Sequence, residues 1–599
     1  MGNSLKKGWN TFFTDSLFCH AKLPDGFGVN LCFKDPGTGR VLRDSFFSRW
    51  EGGCGESVRA DIRSLDGSYT RLTLSWNGSE TVVESAADRD SCVLLITPVR
   101  QGQLPMTLLA VGTVLWNRPV CVRRAGDTLE AETETGLIRV YACGSRTEDP
   151  YAGLGAPYLA LSLGRPAVIS MGTERSEEEA REIVGAARER LMQEHAAFGG
   201  LCDAYAGIQS AVGWNTVYDP EEDTLFTGVS RKWNAANGGY MIFCWDTFFA
   251  AVMAGLFSPE LACENFRAVL TRRTEEGFVP NFASPDGMKS RDRSEPPVGA
   301  LALRMLAQRF GEEIPVREFF PALLEWNRWY AGHRMLQNGW LCWGSDPYEP
   351  RLGRYWEKNG VGAAFGAALE SGMDNSPMYD GVPFDEERHI HRQADVGLTS
   401  LYFADCTLLA DFAAQLGKFE EEAELRGRAA RCAEGLSELW NGEAGIFCNR
   451  RTDTGEWNLR LSPTSFYPLF SGKVTAAQAE RMLREHLYNP EEFWGEYVLP
   501  TIARNDPAYP EQDYWRGRIW GPSNFLTYLA LRAGGQEDAA RELAQKSLGL
   551  FRKEWRENCH THENYNAELG IGCDSDNSDN FYTWGALLAL PALMEDGKF

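Results

Sequence analysis

The apolar positions of the chain follow two different periods. Up to about residue 172 they alternate: LTLSW (Leu72 to Trp76), the pair Asn77-Gly78 and SETVVES spell strand, type I′ turn and strand. Further strand-like runs follow at SCVLLITPV, MTLLAVGTVLW, GLIRVYACG and YLALSLGRPAVIS, separated by Gly, Pro, Asp and Asn. Many strands with little helical pattern predict a β-sandwich over residues 1–172. The period then changes. Ser176 and Glu179 form a capping box ahead of EEEAREIVGAARERLMQEHAAF, which predicts a linking helix within 173–200. From residue 201 to 599 helical segments recur with long loops between them, among them SPELACENFRAVLTRR, ADVGLTSLYFADCTLLADFAAQL and NFLTYLALRAG. Several are apolar on more than one face, as expected of helices buried in a double ring. No repeat of fixed period is present, which argues against a solenoid.

Composition narrows the function. Of 599 residues, 60 are Lys or Arg and 83 Asp or Glu, a net charge of −23. That balance disfavours a nucleic-acid backbone or an anionic membrane as partner. No apolar run of membrane-spanning length is evident, and the opening MGNSLKKGWNTFFTDS lacks the apolar stretch of a secretory signal; Lys6 stands where myristoylation wants Ser or Thr. A cytoplasmic protein is expected. Its 15 Cys are odd in number and contain no C-x-x-C pair, so buried free thiols are expected and no metal or other cofactor. The aromatic content is high, with 32 Phe, 20 Tyr and 19 Trp. Rings so numerous either fill a large core or line a pocket.

Five loops combine Trp or Tyr with carboxylates, Gly and Pro: GGYMIFCWDTFFA, SPDGMKSRDRSEPP, ALESGMDNSPMYDG, DYWRGRIWGPSN and HTHENYNAELG. Aromatic faces stack on the apolar faces of sugar rings while carboxylates, amides and Arg bond the hydroxyls, so the mixture suits a small neutral carbohydrate. One such loop alone is as easily a structural tie between Trp and Asp. Five on one helical scaffold point to a site.

Trp245-Asp246-Thr247-Phe248-Phe249, Ser294-Glu295-Pro296-Pro297, Glu370-Ser371-Gly372-Met373-Asp374-Asn375-Ser376-Pro377, Tyr514-Trp515-Arg516-Gly517 and Glu563-Asn564-Tyr565-Asn566 carry a resemblance in the same order. The chain resembles glycoside hydrolase family 63 over roughly residues 200 to 595. The resemblance implies an (α/α)6 barrel with an N-terminal β-sandwich, a mainly α protein, and an exo-acting hydrolase that inverts the anomeric carbon. An α-glucosidase on a short oligosaccharide or small α-glucoside is expected. It implies Asp374 as general acid and Glu563 as general base, the pair of carboxyls that an inverting glycosidase needs. The apolar neighbours of Asp374 favour its protonated form, and His562, Asn564 and Tyr565 flank Glu563.

Sugar contacts are expected from Trp245, Asp246, Trp343, Asp346, Glu370, Trp515, Arg516, Trp520 and Tyr565. Arg516 has two readings, a fork onto a sugar hydroxyl or carboxylate and a clamp on the acid loop. The loop WGSDPYEPRLGRYWEKNG, with Tyr348, and the pair Arg291 and Arg293 are expected at the pocket mouth. The acidic stretch from Asp574 to Asp579 lacks the ligand spacing of a calcium loop and reads as a solvated rim. In relatives Arg and Trp commonly follow N-S-P, whereas Met378-Tyr379-Asp380 stands here, a departure that bears on specificity. Two other readings compete: a sugar epimerase or isomerase using His389, His391, His560 and His562, and a non-catalytic carbohydrate-binding protein. At a spacing of two, the paired histidines match no recognised zinc motif.

Overall fold

The computed structural model describes residues 4–47, 55–149, 151–349 and 353–599, so Pro350, Arg351 and Leu352 of the expected mouth loop lie outside it. The chain divides into two compact units, Met1–Tyr240 with Glu554–Thr561, and Met241–Lys553 with His562–Phe599.

The first unit carries two antiparallel sheets. Among the described residues, one runs in spatial order Gly8–Asn10, Cys19–Leu23, Phe27–Lys34, Thr107–Val114, Tyr158–Ser162, Ser145–Arg146, with Val41–Leu42 added beside Phe27–Lys34. The other runs Cys121–Ala125, Thr128–Thr133, Gly136–Cys143, Ala167–Met171, Cys92–Arg100, Ser79–Ala87, Tyr69–Trp76, Glu56–Arg63. The run YLALSLGRPAVIS is therefore two strands, one in each sheet. The expected hairpin forms as read: Trp76 pairs Ser79, and Asn77 and Gly78 have φ of +46° and +75°, the backbone a type I′ turn demands. Gly112 marks an approach of the sheets, since a Cβ there would lie 2.8 Å from Val122 and 3.3 Å from Leu129.

Ser176 and Glu179 form the expected capping box of the helix Glu177–Ala196. This helix is not a free linker. Its buried face, Ala180, Val184, Ala187 and Leu191, packs with Tyr69, Ala86, Val93, Leu95 and Val168 of the second sheet. The first unit also extends past residue 200, where the barrel was expected to begin. The physical reason is a pair of buried arginines: Arg63, from the sheet strand Glu56–Arg63, lies 5.1 Å over the ring of Trp214, and Arg231 donates to the carbonyls of Thr11, Phe13 and Trp214.

The second unit is helical. Cys244–Ala254 is buried on every side and is followed by Pro259–Leu270, which is amphipathic and packs against it. Val396–Gln415 and Phe419–Ser437 repeat the arrangement, the first buried at most positions, the second only along Leu425, Ala429, Cys432, Gly435 and Leu436. By length and composition Val396–Gln415 could cross a membrane, which the sequence reading overlooked; it is mostly buried inside the unit, as a core helix is. In both pairs an enclosed helix is followed by an amphipathic one that covers it. The W-D-T-F-F motif opens the helix Cys244–Ala254, and the E-S-G-x-D string begins at the end of the helix Ala364–Glu370.

Candidate active site

Four carboxyls from four separate loops converge in the second unit. Asp246 lies in the first turn of Cys244–Ala254, where Tyr582 donates its hydroxyl to Oδ1 at 2.9 Å. Glu295 accepts from the Asn281 amide at 2.6 Å and from the Trp245 backbone N–H at 3.0 Å. Asp374 follows the helix Ala364–Glu370 and is half-buried. Glu563, 6% exposed, accepts from the Tyr514 hydroxyl at 3.2 Å and the Asp579 N–H at 3.1 Å. Its backbone is fixed too, with its N–H on the Asp579 carbonyl at 2.9 Å and its carbonyl accepting from Trp584 Nε1 at 3.0 Å.

Their electrostatics show the convergence. Burial pushes Asp374 up to about 6, with the Arg293 guanidinium opposing. Burial pushes Glu563 up to about 8 against the pull of its Asp579 amide and Tyr514 donors, and the Asp246 charge adds to the rise. Asp246 is likewise pushed up to about 8 by burial and by Asp374, the Tyr582 hydrogen bond opposing. Glu295 is raised well above the carboxylate range by burial first, then by Asp246 and Asp374. Tyr514 is raised well above its ordinary value by burial first, then by Glu563, Asp374 and Asp246. These groups share one poorly hydrated space, and carboxyls so placed cannot all ionise at neutral pH.

Gly372 explains the spacing of the E-S-G-x-D string. It turns the chain at φ +68°, and a Cβ there would fall 2.7 Å from Cζ2 of Trp245. Left-handed backbone and close approach both require Gly, and the turn sets Asp374 two residues on.

Beneath the carboxyls lie two wholly buried arginines. Arg293 forks between Asp292, at 2.9 Å to each oxygen, and Glu357 at 2.8 Å. Arg334 donates to Glu370 at 2.7 Å, to Asp346 at 3.1 and 3.2 Å, and to the Asp292 carbonyl at 3.2 Å.

Several expected sugar contacts are placed differently. Glu370 has no exposed surface and is occupied by Arg334 and by the backbone N–H groups of Ser294 and Gly344, at 3.1 and 2.7 Å. Asp346 is tied to Arg334 and His333. Trp245, Trp343, Trp515 and Trp520 are 4, 2, 1 and 0% exposed, and Tyr565 is fully buried. Trp515 stacks on Trp520 at 3.8 Å, and Trp520 Nε1 holds the Tyr514 carbonyl at 2.9 Å. The Tyr565 hydroxyl accepts from the His562 N–H at 3.1 Å. Trp520 and Tyr565 thus support the loops and offer no face to a ligand. Arg516 clamps the Asp374 loop: it donates to the Asn375 carbonyl at 3.2 Å, to Asp380 at 3.0 Å and to Glu511 at 2.6 Å. Asp574 stays exposed, as a rim residue would be, and is also anchored, by Arg518 at 2.8 Å and Asn566 at 2.7 Å.

Sequence reasoning missed Glu295, Arg293, Tyr514 and Tyr582 as parts of this cluster. Glu295 and Tyr514 stand inside the quoted motifs, and the signal for Glu295 was a carboxyl set before two prolines. Tyr582 gave no signal, because FYTWG reads as a core helix face. Of the four histidines, His391 bonds the Ala364 carbonyl at 2.9 Å and burial lowers it to about 4, while His560 falls with the first unit.

A scaffold of enclosed helices presenting paired, poorly hydrated carboxyls is that of a carbohydrate-cleaving hydrolase. The sequence model of the mannosylglycerate hydrolase MGH1-like glycoside hydrolase domain matches residues 239–584. The chain belongs to that family of glycoside hydrolases, within glycoside hydrolase family 63 as the motifs implied. It is 24% identical over 445 residues to mannosylglycerate hydrolase MGH1 of Selaginella moellendorffii, covering 61% of this chain and 85% of the relative. The solved family 63 mannosylglycerate hydrolase of Thermus thermophilus in complex with glucose aligns at a TM-score of 0.52 and 20% identity, over 65% of this chain and 99% of its own. A bacterial glucoamylase complexed with acarbose aligns at a TM-score of 0.50 and 10% identity, over 98% of this chain and 94% of its own.

Two outcomes follow from the geometry. Gly372→Ala should cut activity by tenfold or more and lower the melting temperature, since Trp245 or the Asp374 turn must shift; unchanged melting and turnover would contradict the close approach. Asp246 binds a proton in the folded state up to about pH 8, but in the unfolded chain only below about 4. Stability therefore falls as pH rises between those values. Asp246→Asn removes that loss, so its melting temperature relative to the parent should climb from pH 5 to pH 8; a pH-independent offset would refute the burial of this carboxyl.

Proposed function

We propose that the chain is an exo-acting inverting α-glycosidase, an α-glucosidase on a short oligosaccharide or small α-glucoside, with Asp374 as general acid and Glu563 as general base. The observation that carries the reading is the convergence of Asp374 and Glu563 with Asp246 and Glu295. In an inverting enzyme the acid protonates the leaving oxygen while the base activates a water on the opposite face of the ring, at a carboxyl separation of about 6.5–9.5 Å. Glu563 suits the base, because Tyr514 and the Asp579 amide donate to it and stabilise its ionised form. Asp374 accepts no comparable pair. A sugar seated over Asp374 dries that carboxyl, and a water held by Glu563 hydrates the other, so substrate binding moves the shared proton toward the acid.

Asp246 and Glu295 would bind hydroxyls of the terminal sugar. The likeness to the glucoamylase and to the Thermus enzyme supports closing the helix pairs into an (α/α)6 barrel, and the two sheets of the first unit support an N-terminal sandwich. Buried free thiols such as Cys244 and Cys342 accord with a cytoplasmic location.

The test is hydrolysis of a panel of α-glucosides, trehalose and α-mannosides, followed by NMR. The β-anomer should form first, and Asp374→Asn and Glu563→Gln should each lower kcat by at least about a thousandfold. First release of the α-anomer would sink the proposal. The active form carries one proton on the pair, so kcat/KM should rise through about pH 6 and fall through about pH 8. Which carboxyl holds the proton in the free protein leaves these limbs unmoved.

A further inference from the structure

Two arginines flank the Asp374 loop and are engaged in the same way. Arg516 forks onto Glu511, Nε to Oε2 at 2.6 Å and Nη2 to Oε1 at 2.9 Å. Arg460 forks onto Asp506, Nε to Oδ2 at 2.9 Å and Nη2 to Oδ1 at 2.7 Å. The remaining nitrogen of each reaches Asp380, from Arg516 at 3.0 Å and from Arg460 at 2.8 Å. That same nitrogen also donates to a backbone carbonyl of the acid loop: Asn375 for Arg516, at 3.2 Å, and Pro377 for Arg460, at 2.9 Å. All three nitrogens of both guanidinium groups are thereby bonded. The network holds two cations and three carboxylates, a net charge of −1. Its arginine side chains are 17 and 28% exposed, whereas Asp380 and Glu511 are each 45% exposed. Carboxylate oxygen, rather than guanidinium, is what this surface turns outward. Asp513 adds a further carboxylate beside Asn375, which reaches its Oδ2 at 3.4 Å.

The following step rests on the reading of Asp374 as the general acid. A general acid stands beside the leaving oxygen, so the leaving group passes along the Asp374 loop. We propose that Asp380, by engaging both Arg460 and Arg516, makes this enzyme select an uncharged leaving group and reject a carboxylate-bearing one. An anionic leaving group such as glycerate finds no free guanidinium there and meets exposed like charge, which penalises it in both binding and turnover. A sugar or polyol leaving group meets acceptors for its hydroxyls. Arg516 holds Glu511 below the ordinary carboxylate range, and Asp506 is held below it too, by Arg460 against the opposing effect of burial.

The experiment compares two substrates that differ only in this group, the α-glucosides of glycerol and of glycerate. kcat/KM should favour the glycerol glucoside by about tenfold or more at low ionic strength, and the ratio should shrink with added salt. Asp380→Asn keeps the shape, removes one negative charge and loosens both arginines, so its ratio should move at least threefold toward glycerate. A parent that prefers the glycerate glucoside, or a ratio unmoved in Asp380→Asn, would overturn the inference. Binding of both glucosides to the Glu563→Gln variant by calorimetry makes the same comparison without turnover. Equal or tighter binding of the glycerate glucoside overturns the selection for neutrality. Weaker binding supports it even where hydrolysis of neither glucoside refutes the glycosidase reading.

Discussion

Taking a charge out of water costs several kcal/mol unless partners replace the lost hydration, and the second unit is organised around meeting that cost. Arg293 and Arg334 have no exposed surface, and between them they engage Asp292, Glu357, Glu370 and Asp346. These carboxylates in turn bind the backbone: Glu370 receives the N–H groups of Ser294 and Gly344, and Ser345 and Tyr348 hydroxyls close on Asp292 and Glu357. Several motif-bearing loops thus end on one electrostatic knot. Removing one partner of such a buried pair costs about 3–5 kcal/mol, because the charge left behind has no water to return to.

The four carboxyls above this knot present the opposite situation. Asp246, Glu295 and Glu563 are buried and Asp374 half-buried, with little positive charge among them, and Arg293, the cation that opposes the rise at Glu295 and Asp374, is already shared by two carboxylates. Protons held at neutral pH relieve the repulsion, so the cluster lowers stability as the pH rises through the range in which those protons leave. Local destabilisation at a reactive site is the usual counterpart of catalytic preorganisation. The knot beneath keeps the loops in place against it.

The parts legible in the sequence are those whose cause is local. Asn77-Gly78 specifies its turn by backbone preference alone, and Ser176 with Glu179 specifies a helix start within four residues. Gly372 and Asp374 are two residues apart, so their motif carried the acid loop. Illegible parts depend on distant partners. Tyr582 reaches Asp246 across 336 residues of chain, and nothing in FYTWG announces it. Glu370 was placed against substrate because its residue type suits hydroxyls, and Arg516 was left between a sugar contact and a clamp; whether a carboxylate or guanidinium is free depends on which side chain folds onto it, and Arg334, Glu511 and Asp380 had already taken them. Aromatic rings misled for a similar reason, since Trp515 and Trp520 satisfy each other.

The placement of one short strand in the first unit has a bearing on how the chain is made. Ala167–Met171 lies between Gly136–Cys143 and Cys92–Arg100, and no other pairing in the described residues joins the two halves of that eight-stranded sheet. During synthesis, four strands from Glu56 to Arg100 and three from Cys121 to Cys143 emerge first, each half ending in an open edge. Unpaired edges of this kind invite association with other chains. The sheet is completed only when residue 171 clears the ribosome, and the capped helix Glu177–Ala196 that follows at once covers the seam with Ala180, Val184 and Leu191. The order of segments along the chain shortens the interval in which those edges stand open.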